Sequence, residues 1–122
     1  MAITQSLTGK RALICGASAG IGRAIAIQLA ALGAECILLA RRSDRLKNVQ
    51  EMINQKGGSA SIIIGDLDNL EKVITKVKIE LRRGAINILI NNTGGQQEDR
   101  SSKQLKINFS KHSLVMFYLH TD

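Results

Sequence analysis

The chain has few of the features that an aromatic core or a membrane span would need. Its 122 residues contain no proline and no tryptophan, and aromatic residues make up 2% of the sequence. The hydrophobic 44% is therefore mostly aliphatic, which is typical of buried parallel strands. No apolar run could span a bilayer, and the first residues hold no apolar segment of signal-peptide length. We expect a single cytoplasmic domain over residues 1–122, with no membrane partner.

Cysteine and histidine are also scarce. Cys15 and Cys36 fall in separate apolar runs, where buried, inert thiols are common. If these runs form neighbouring parallel strands, the two cysteines lie near opposite strand ends and too far apart for a disulfide. This favours a reducing compartment. His112 and His120 lack partners at metal-ligand spacing, so we expect no metal site.

The charge balance of the chain is strongly basic. The net charge is +7 and the pI about 9.9, and Lys and Arg supply the phosphate contacts of nucleic-acid-binding proteins. The basic residues are spread along the chain, however, and aromatic side chains for base stacking are few. We therefore favour a basic surface that attracts a small anionic ligand, with no nucleic-acid partner. A basic nucleic-acid-binding domain remains an alternative.

Strand-like and helix-like segments alternate along the chain. Branched aliphatic runs predict strands at residues 11–15, 35–40, 60–65 and 86–90. Each of the first three is followed by apolar residues at helical spacing; in the first helix these are Ile21, Ile25 and Leu29, with Ala26 and Ala30 beside them. This order predicts an α/β fold with a doubly wound, Rossmann-like parallel sheet, truncated after about four strands plus one helix.

The tail of the sequence is harder to assign. We favour a helix for "LKINFSKHSLVMFYLHTD", although its apolar run 114–119 also fits a strand. Without a fifth strand, residues 86–90 would form an open apolar edge of the sheet. A homo-oligomer, or a partner that covers this edge, is then expected.

The stretch "LICGASAGIGRAIA" joins the first strand to the first helix. Gly16, Gly20 and Gly22 permit a tight turn and let the backbone approach a pyrophosphate, which the N-terminus of the helix attracts. This position in the chain favours a nucleotide site. A tight strand-to-helix turn without a ligand is the alternative.

Two arginines follow the second strand. Arg41 lies 19 residues beyond Gly22, where an Asp or Glu would bind the ribose hydroxyls of NAD. A guanidinium instead pairs with a 2′-phosphate, so Arg41 and Arg42 favour NADP(H) over NAD(H). The alternative is an exposed basic loop beside Asp44.

Four motifs occur in order after the successive strands: "GASAGIG", "ARR", "GDL" and "NNTGG". Together they resemble the N-terminal half of the short-chain dehydrogenase/reductase family over residues 7–95, with 96–122 a divergent tail. Thr93 stands where the family has Ala, and Cys15 where it often has Thr. The second change removes a hydroxyl that would tie the glycine turn to the Asn-rich segment.

The resemblance implies a role for each matching position. It places a first group around the pyrophosphate and adenosine ribose, Arg41 at the 2′-phosphate, Asp66 and Leu67 beside the adenine, and a last group near the nicotinamide ribose. The first group is Gly16, Ser18, Ala19, Gly20, Ile21 and Gly22, and the last is Asn92, Thr93 and Gly94. In simpler interpretations Asp66 caps the next helix and Asn91 braces the strand ends.

The catalytic residues of the family do not match in the same way. The family uses a Ser and a Tyr-x-x-x-Lys pair, in which the Lys lowers the pKa of the Tyr. The one tyrosine, Tyr118, is followed four residues later by Asp122. Asn108 is the candidate for the family's Asn that supports a proton-relay water, or else an ordinary helix residue. We expect an NADP(H)-binding oxidoreductase domain without turnover in the chain as written; a non-catalytic NADP-binding or interaction module is the alternative.

Overall fold

A computed structural model describes residues 6–18, 20–66, 68–91 and, for the backbone alone, 115–118. Helices and strands alternate in these residues until two strands end the series. The elements are β1 (Arg11–Cys15), α1 (Gly20–Ala31), β2 (Glu35–Ala40), α2 (Ser43–Gln55), β3 (Ser59–Ile64), α3 (Leu70–Arg82), β4 (Ile88–Asn91) and β5 (Val115–Tyr118). The first four strands lie within two residues of the predicted bounds, which is the usual uncertainty at element ends.

The strands form one parallel sheet in the order β3-β2-β1-β4-β5. β1 pairs with β2 on one side and with β4 on the other, so that it occupies the centre of the sheet. Parallel neighbours need a crossover connection, and the three described helices supply it between the first four strands. The predicted Rossmann-like α/β fold is confirmed.

The central strands β1 and β2 are buried on both faces of the sheet. On one face, Ile14 and Leu38 pack in a cluster with Leu46 and Val49 of α2 and with small residues of α1. On the other face, Leu13, Ile37 and Leu89 pack in a cluster with Val73 and Val77 of α3. Side chains alternate between the faces along each strand, which explains why β1 and β2 are almost continuously apolar.

The buried side of α1 consists of small residues, and not of the large apolar residues whose spacing predicted the helix. Gly22, Ala26 and Ala30 are buried, whereas Ile25 and Leu29 are only partly buried and Ile21 is 48% exposed. Small side chains let a helix approach a sheet closely, and the larger residues then lie along its flanks. The i, i+4 spacing was right for a helix but did not identify its buried side.

The tail and the sheet edge differ from the prediction. Within the run 114–119, Val115–Tyr118 is a strand, so the preference for a helix there is wrong and the strand alternative is confirmed. β5 pairs with the whole of β4, from Ile88 opposite Val115 to Asn91 opposite Tyr118. The expectation that residues 86–90 form an open edge is therefore also wrong: β3 and β5 are the outer strands.

Both cysteines are free and buried, as predicted. Cys15 lies opposite Leu39 at the end of the β1–β2 pair, and Cys36 lies opposite Ala12 near its beginning. The two thiols also belong to clusters on opposite faces of the sheet. Both the register and the alternation of side chains keep them apart.

A buried ion pair lies at the amino-terminal edge of the sheet. The Nη2 atom of Arg11 lies 2.6 Å from Oε1 of Glu80, and both side chains are largely buried. Arg11 Nη1 donates to the carbonyl oxygens of Glu80 and Gly84, at the end of α3, while Arg11 N donates to Oδ1 of Asn87. Arg11 thus joins β1 to the end of α3 and the start of β4.

Among the described helices, none has the length and apolar character needed to cross a membrane.

Candidate functional site

The predicted site residues follow the carboxyl ends of neighbouring strands. In a parallel sheet the carboxyl ends of all strands lie at the same end of the sheet, here the end opposite Arg11. We call this end the carboxyl edge of the sheet, as distinct from its outer strands β3 and β5. The chain runs outward from β1 through β2 to β3, and then returns to place β4 on the other side of β1. Ligands of open α/β sheets bind in the crevice at such a reversal of strand order. The candidate site therefore lies between the ends of β1 and β4.

The glycine turn after β1 is fixed to the end of β2. The amides of Gly16 and Ala17 both donate to the carbonyl oxygen of Leu39, at 2.8 and 3.3 Å. Gly16 has φ +77° and Gly20 has φ +61°, a region that side chains rarely adopt. A Cβ atom on Gly20 would meet nothing within 4 Å, so it is the backbone conformation that requires glycine there.

The N-terminus of α1 opens onto this turn. The first amides of a helix have no acceptor within the helix, and they form the positive end of its dipole. No acidic residue lies in the first turn of α1. Ser18 is partly buried beside the turn, and Gly20 and Ile21 are exposed. An exposed helix start with open space at Gly20 and no local carboxylate can accept a phosphate group.

The two arginines lie on the chain directly after β2. Arg42 Nε is 3.9 Å from Oδ1 of Asp44, and both side chains are exposed, so this ion pair is weak. No ion pair with a carboxylate is formed by Arg41 within the described part of the chain. Because β2 pairs with β1 up to Cys15 opposite Leu39, the arginines lie at the same edge as the glycine turn.

Asp66 lies in the turn between β3 and α3. Its Oδ1 accepts a hydrogen bond of 2.9 Å from the amide of Asp68, and its carbonyl oxygen accepts one from Asn69. The N-cap residue of α3 is Asn69, so Asp66 shapes the turn before the helix and is not its cap. The carboxylate stands at the same sheet edge as the arginines.

Gly65 was not singled out from the sequence. A Cβ atom there would lie 2.9 Å from Cγ2 of Val73 and 3.6 Å from Cδ1 of Leu39. The lack of a side chain at Gly65 lets α3 pack against the end of β3, next to Asp66. The only signal in the sequence is a glycine directly after three isoleucines.

Asn91 ends β4 inside the sheet. It is 8% exposed, and its Oδ1 has no hydrogen-bond partner among the described residues. Cys15 lies directly opposite in the β1–β4 register, on the same face of the sheet. Burial raises the pKa of the Cys15 thiol to about 12, so the thiol is neutral at physiological pH. The Asn91 amide thus lies next to residue 15 on one face of the sheet, where a hydroxyl group could donate to its unpartnered oxygen.

The remaining predicted residues lie outside the part of the chain that the structure describes. They are Ala19, Leu67, Asn92, Thr93, Gly94 and Asn108, together with the side chain of Tyr118. Within the described part of the chain, no group of three His, Cys, Asp or Glu residues could hold a metal ion.

The strand order and the glycine turn define a Rossmann-type domain with a nucleotide-site architecture. A family model described as short chain dehydrogenase matches residues 10–116. The chain belongs to the short-chain dehydrogenase family.

Several known reductases and other oxidoreductases are similar to this chain. A fatty acyl-CoA reductase of Mycobacterium tuberculosis is 44% identical over 89 residues, which are 72% of this chain and 30% of that protein. A metagenomic short-chain oxidoreductase, solved in complex with NADP, is 36% identical with a TM-score of 0.72, covering 75% of this chain and 42% of the other. A 3-oxoacyl (acyl-carrier-protein) reductase from Agrobacterium tumefaciens C58, solved with NADP bound, is 34% identical with a TM-score of 0.68, covering 75% and 36%. The chain spans about a third of the length of the curated relatives it matches.

Proposed function

We propose that this chain binds NADP(H), as the cofactor-binding half of an oxidoreductase that acts on a carbonyl or alcohol carbon. The observation that carries the proposal is the glycine turn at the start of α1. It lies at the reversal of strand order, has open space at Gly20 and has no carboxylate in the first helical turn. The NADP in two structures of relatives supports this choice of ligand.

The pyrophosphate would lie over the amides of the glycine turn. Gly16 and Gly20 provide the backbone conformation, and Ser18 and Ile21 lie beside the exposed helix start. Ala19, which belongs to the same segment of sequence, would complete this contact. Gly22 is buried against the sheet, so we assign it the close packing of α1 and not a direct contact with the ligand.

The 2′-phosphate would be bound by arginine at the end of β2. Arg41 has no carboxylate partner among the described residues, whereas Arg42 lies 3.9 Å from Asp44. We therefore assign the main contact to Arg41 and a supporting one to Arg42. A guanidinium forms paired hydrogen bonds with a phosphate, and this favours NADP(H) over NAD(H).

The adenine and nicotinamide ends of the cofactor would meet the segments after β3 and β4. Asp66 and Leu67 would flank the adenine, with the Asp66 carboxylate accepting from its amino group. Asn92, Thr93 and Gly94 would lie near the nicotinamide ribose, and Asn108 would support a proton-relay water. When bound, NADPH supplies the hydride of the reaction.

The 122-residue chain on its own is proposed to bind the cofactor without turnover. Its one tyrosine, Tyr118, has Asp122 four residues later where the family's Tyr-x-x-x-Lys pair has its Lys, so the residue that prepares the tyrosine for proton exchange near neutral pH is missing from this position. Incubation of the purified chain with NADPH and carbonyl compounds should leave the NADPH absorbance unchanged. NADPH consumption that depends on the carbonyl compound would show this part of the proposal to be wrong.

Calorimetric titration with NADPH and with NADH tests the binding proposal. The wild-type chain should bind NADPH more tightly, and Arg41→Ala should weaken NADPH binding by about tenfold or more while leaving NADH binding unchanged. Arg82→Ala, an exposed position at the end of α3, gives the same change of net charge away from the site. Equal affinity for the two cofactors, or an equal loss in both variants, would refute the role of Arg41.

A further inference from the structure

We propose that two helix side chains, Gln50 and Lys76, close the free edge of β3 against pairing with a second copy of this chain. β3 is an outer strand of the sheet and pairs with β2 along its whole length. An outer strand presents unpaired N–H and C=O groups, to which another strand can add. Closure of this edge is separate from cofactor binding and does not depend on it.

The direction of the backbone groups shows which part of β3 is open. The amide of Gly65 donates to Ala40 of β2, and alternate residues along a strand direct their backbone groups to the same side. Gly65 thus shares its side with Ile63 and the other odd-numbered residues. The carbonyl oxygens of Ala60, Ile62 and Ile64 consequently point away from β2, toward the free edge.

Two of these three carbonyl oxygens are already bonded to side chains. Gln50 Nε2 donates to the oxygen of Ala60 at 2.8 Å, and Lys76 Nζ donates to the oxygen of Ile64 at 2.7 Å. Gln50 comes from α2 and Lys76 from α3, which pack on opposite faces of the sheet. The two ends of the free edge are therefore blocked from both faces, and an added strand would have to displace both side chains.

The sequence of β3 makes this closure important. Residues 59–65, "SASIIIG", contain no charged residue and no proline, and Ile64 is 41% exposed. Short uncharged segments rich in β-branched residues pair readily with copies of themselves. Natural edge strands commonly resist this with a charge, a proline or a bulge. β3 has no charge or proline of its own, so its blocking groups come from the neighbouring helices.

The partner that would add to an unblocked edge is the β3 strand of another copy. It offers the same row of unpaired backbone groups and the same isoleucines, so that two chains can pair edge to edge. Such pairing needs the outward carbonyls at both ends of the strand. These are the carbonyls that Gln50 and Lys76 occupy.

Self-association of matched variants tests the proposal. Gln50→Ala with Lys76→Met removes both side-chain bonds, while Gln55→Ala with Lys78→Met makes the same chemical changes at exposed positions of the same helices. In sedimentation equilibrium, the first variant should self-associate about tenfold more strongly than wild type, the combined effect of two hydrogen bonds. The control variant should match wild type, and each single substitution at Gln50 or Lys76 should give a smaller increase.

Hydrogen exchange and a third substitution locate the contact. In the associated variant, the amides of Ile62 and Ile64 should gain protection, because they face the added strand. Addition of Ile64→Lys places a charge on the edge and should restore the wild-type association. Unchanged association of the double variant would overturn the proposal. The proposal would also be overturned if association increased but the protected amides lay outside β3 and Ile64→Lys did not reverse the association.

Discussion

Replacement of Cys15 by threonine should stabilise the chain. The side chain of residue 15 faces Asn91 across the β1–β4 pair, and Oδ1 of Asn91 is buried without a partner among the described residues. The neutral Cys15 thiol is not hydrogen-bonded to this oxygen. A threonine hydroxyl at the same position is a stronger donor and can satisfy it.

The expected size of the effect follows from the state of the Asn91 amide. A buried acceptor without a partner destabilises a protein by about 1–3 kcal/mol, and a formed hydrogen bond contributes about 1 kcal/mol. Valine has the shape of threonine without the hydroxyl, so the comparison of the two isolates the hydrogen bond. In an ordinary apolar site valine is the more stable of the two. Here we expect the free energy of unfolding of Cys15→Thr to exceed that of Cys15→Val by about 1 kcal/mol.

Urea denaturation at neutral pH measures both variants against wild type. Equal m-values would show that the unfolded states are comparable. In an Asn91→Leu background, which removes the acceptor, valine at position 15 should become more stable than threonine. The reasoning is refuted if Cys15→Val is as stable as Cys15→Thr with Asn91 present, or if the background leaves their order unchanged.

Three further predictions concern glycine, the buried ion pair and thiol ionisation. Gly20→Ala and Gly57→Ala should each lower the free energy of unfolding by about 1 kcal/mol, because both have positive φ and open space, but only Gly20→Ala should weaken NADPH binding in calorimetry. Arg11→Met should destabilise the chain by about 3 kcal/mol in urea denaturation, because the buried Glu80 carboxylate loses its Arg11 partner. The double variant Arg11→Met with Glu80→Leu should recover most of that loss. Burial raises the pKa of the Cys15 thiol from 9.0 to about 12. The stability that the neutral thiol contributes is therefore complete below pH 9 and is lost as the pH rises toward 12. In Cys15→Ala, the free energy of unfolding should fall less steeply above pH 9 than in the wild-type chain.

The parts of the fold that were predicted correctly are those with local signals. Runs of branched aliphatic residues mark β1 to β4, and helical spacing of apolar residues marks the segments between them. The positions of Gly16, Arg41 and Asp66 directly after these strands also place them at one edge of the sheet. Parallel pairing then follows from the alternation of strands and helices.

The features that were missed depend on residues distant in the sequence. The run 114–119 fits a helix or a strand by itself, and it is pairing with β4 that makes Val115–Tyr118 a strand. The bond between Arg11 and Glu80 joins residues 69 positions apart, and no spacing rule indicates it. The small-residue side of α1 is buried because helix and sheet approach closely, which the size of Ile21 and Ile25 does not reveal.

The central position of β1 has a consequence for synthesis of the chain. Arg11 and Asn87, which bond to each other beside the β1–β4 pair, are 76 residues apart. During translation, β2 emerges soon after β1, but the other side of β1 stays unpaired until residues 88–91 leave the ribosome. Such long-range parallel pairing is slow and exposes apolar strands while it is incomplete. The earliest described strand to be synthesised, β1, is therefore fully paired only after β2, β3 and β4 have been made, and the nascent chain is most exposed to misassembly in that interval.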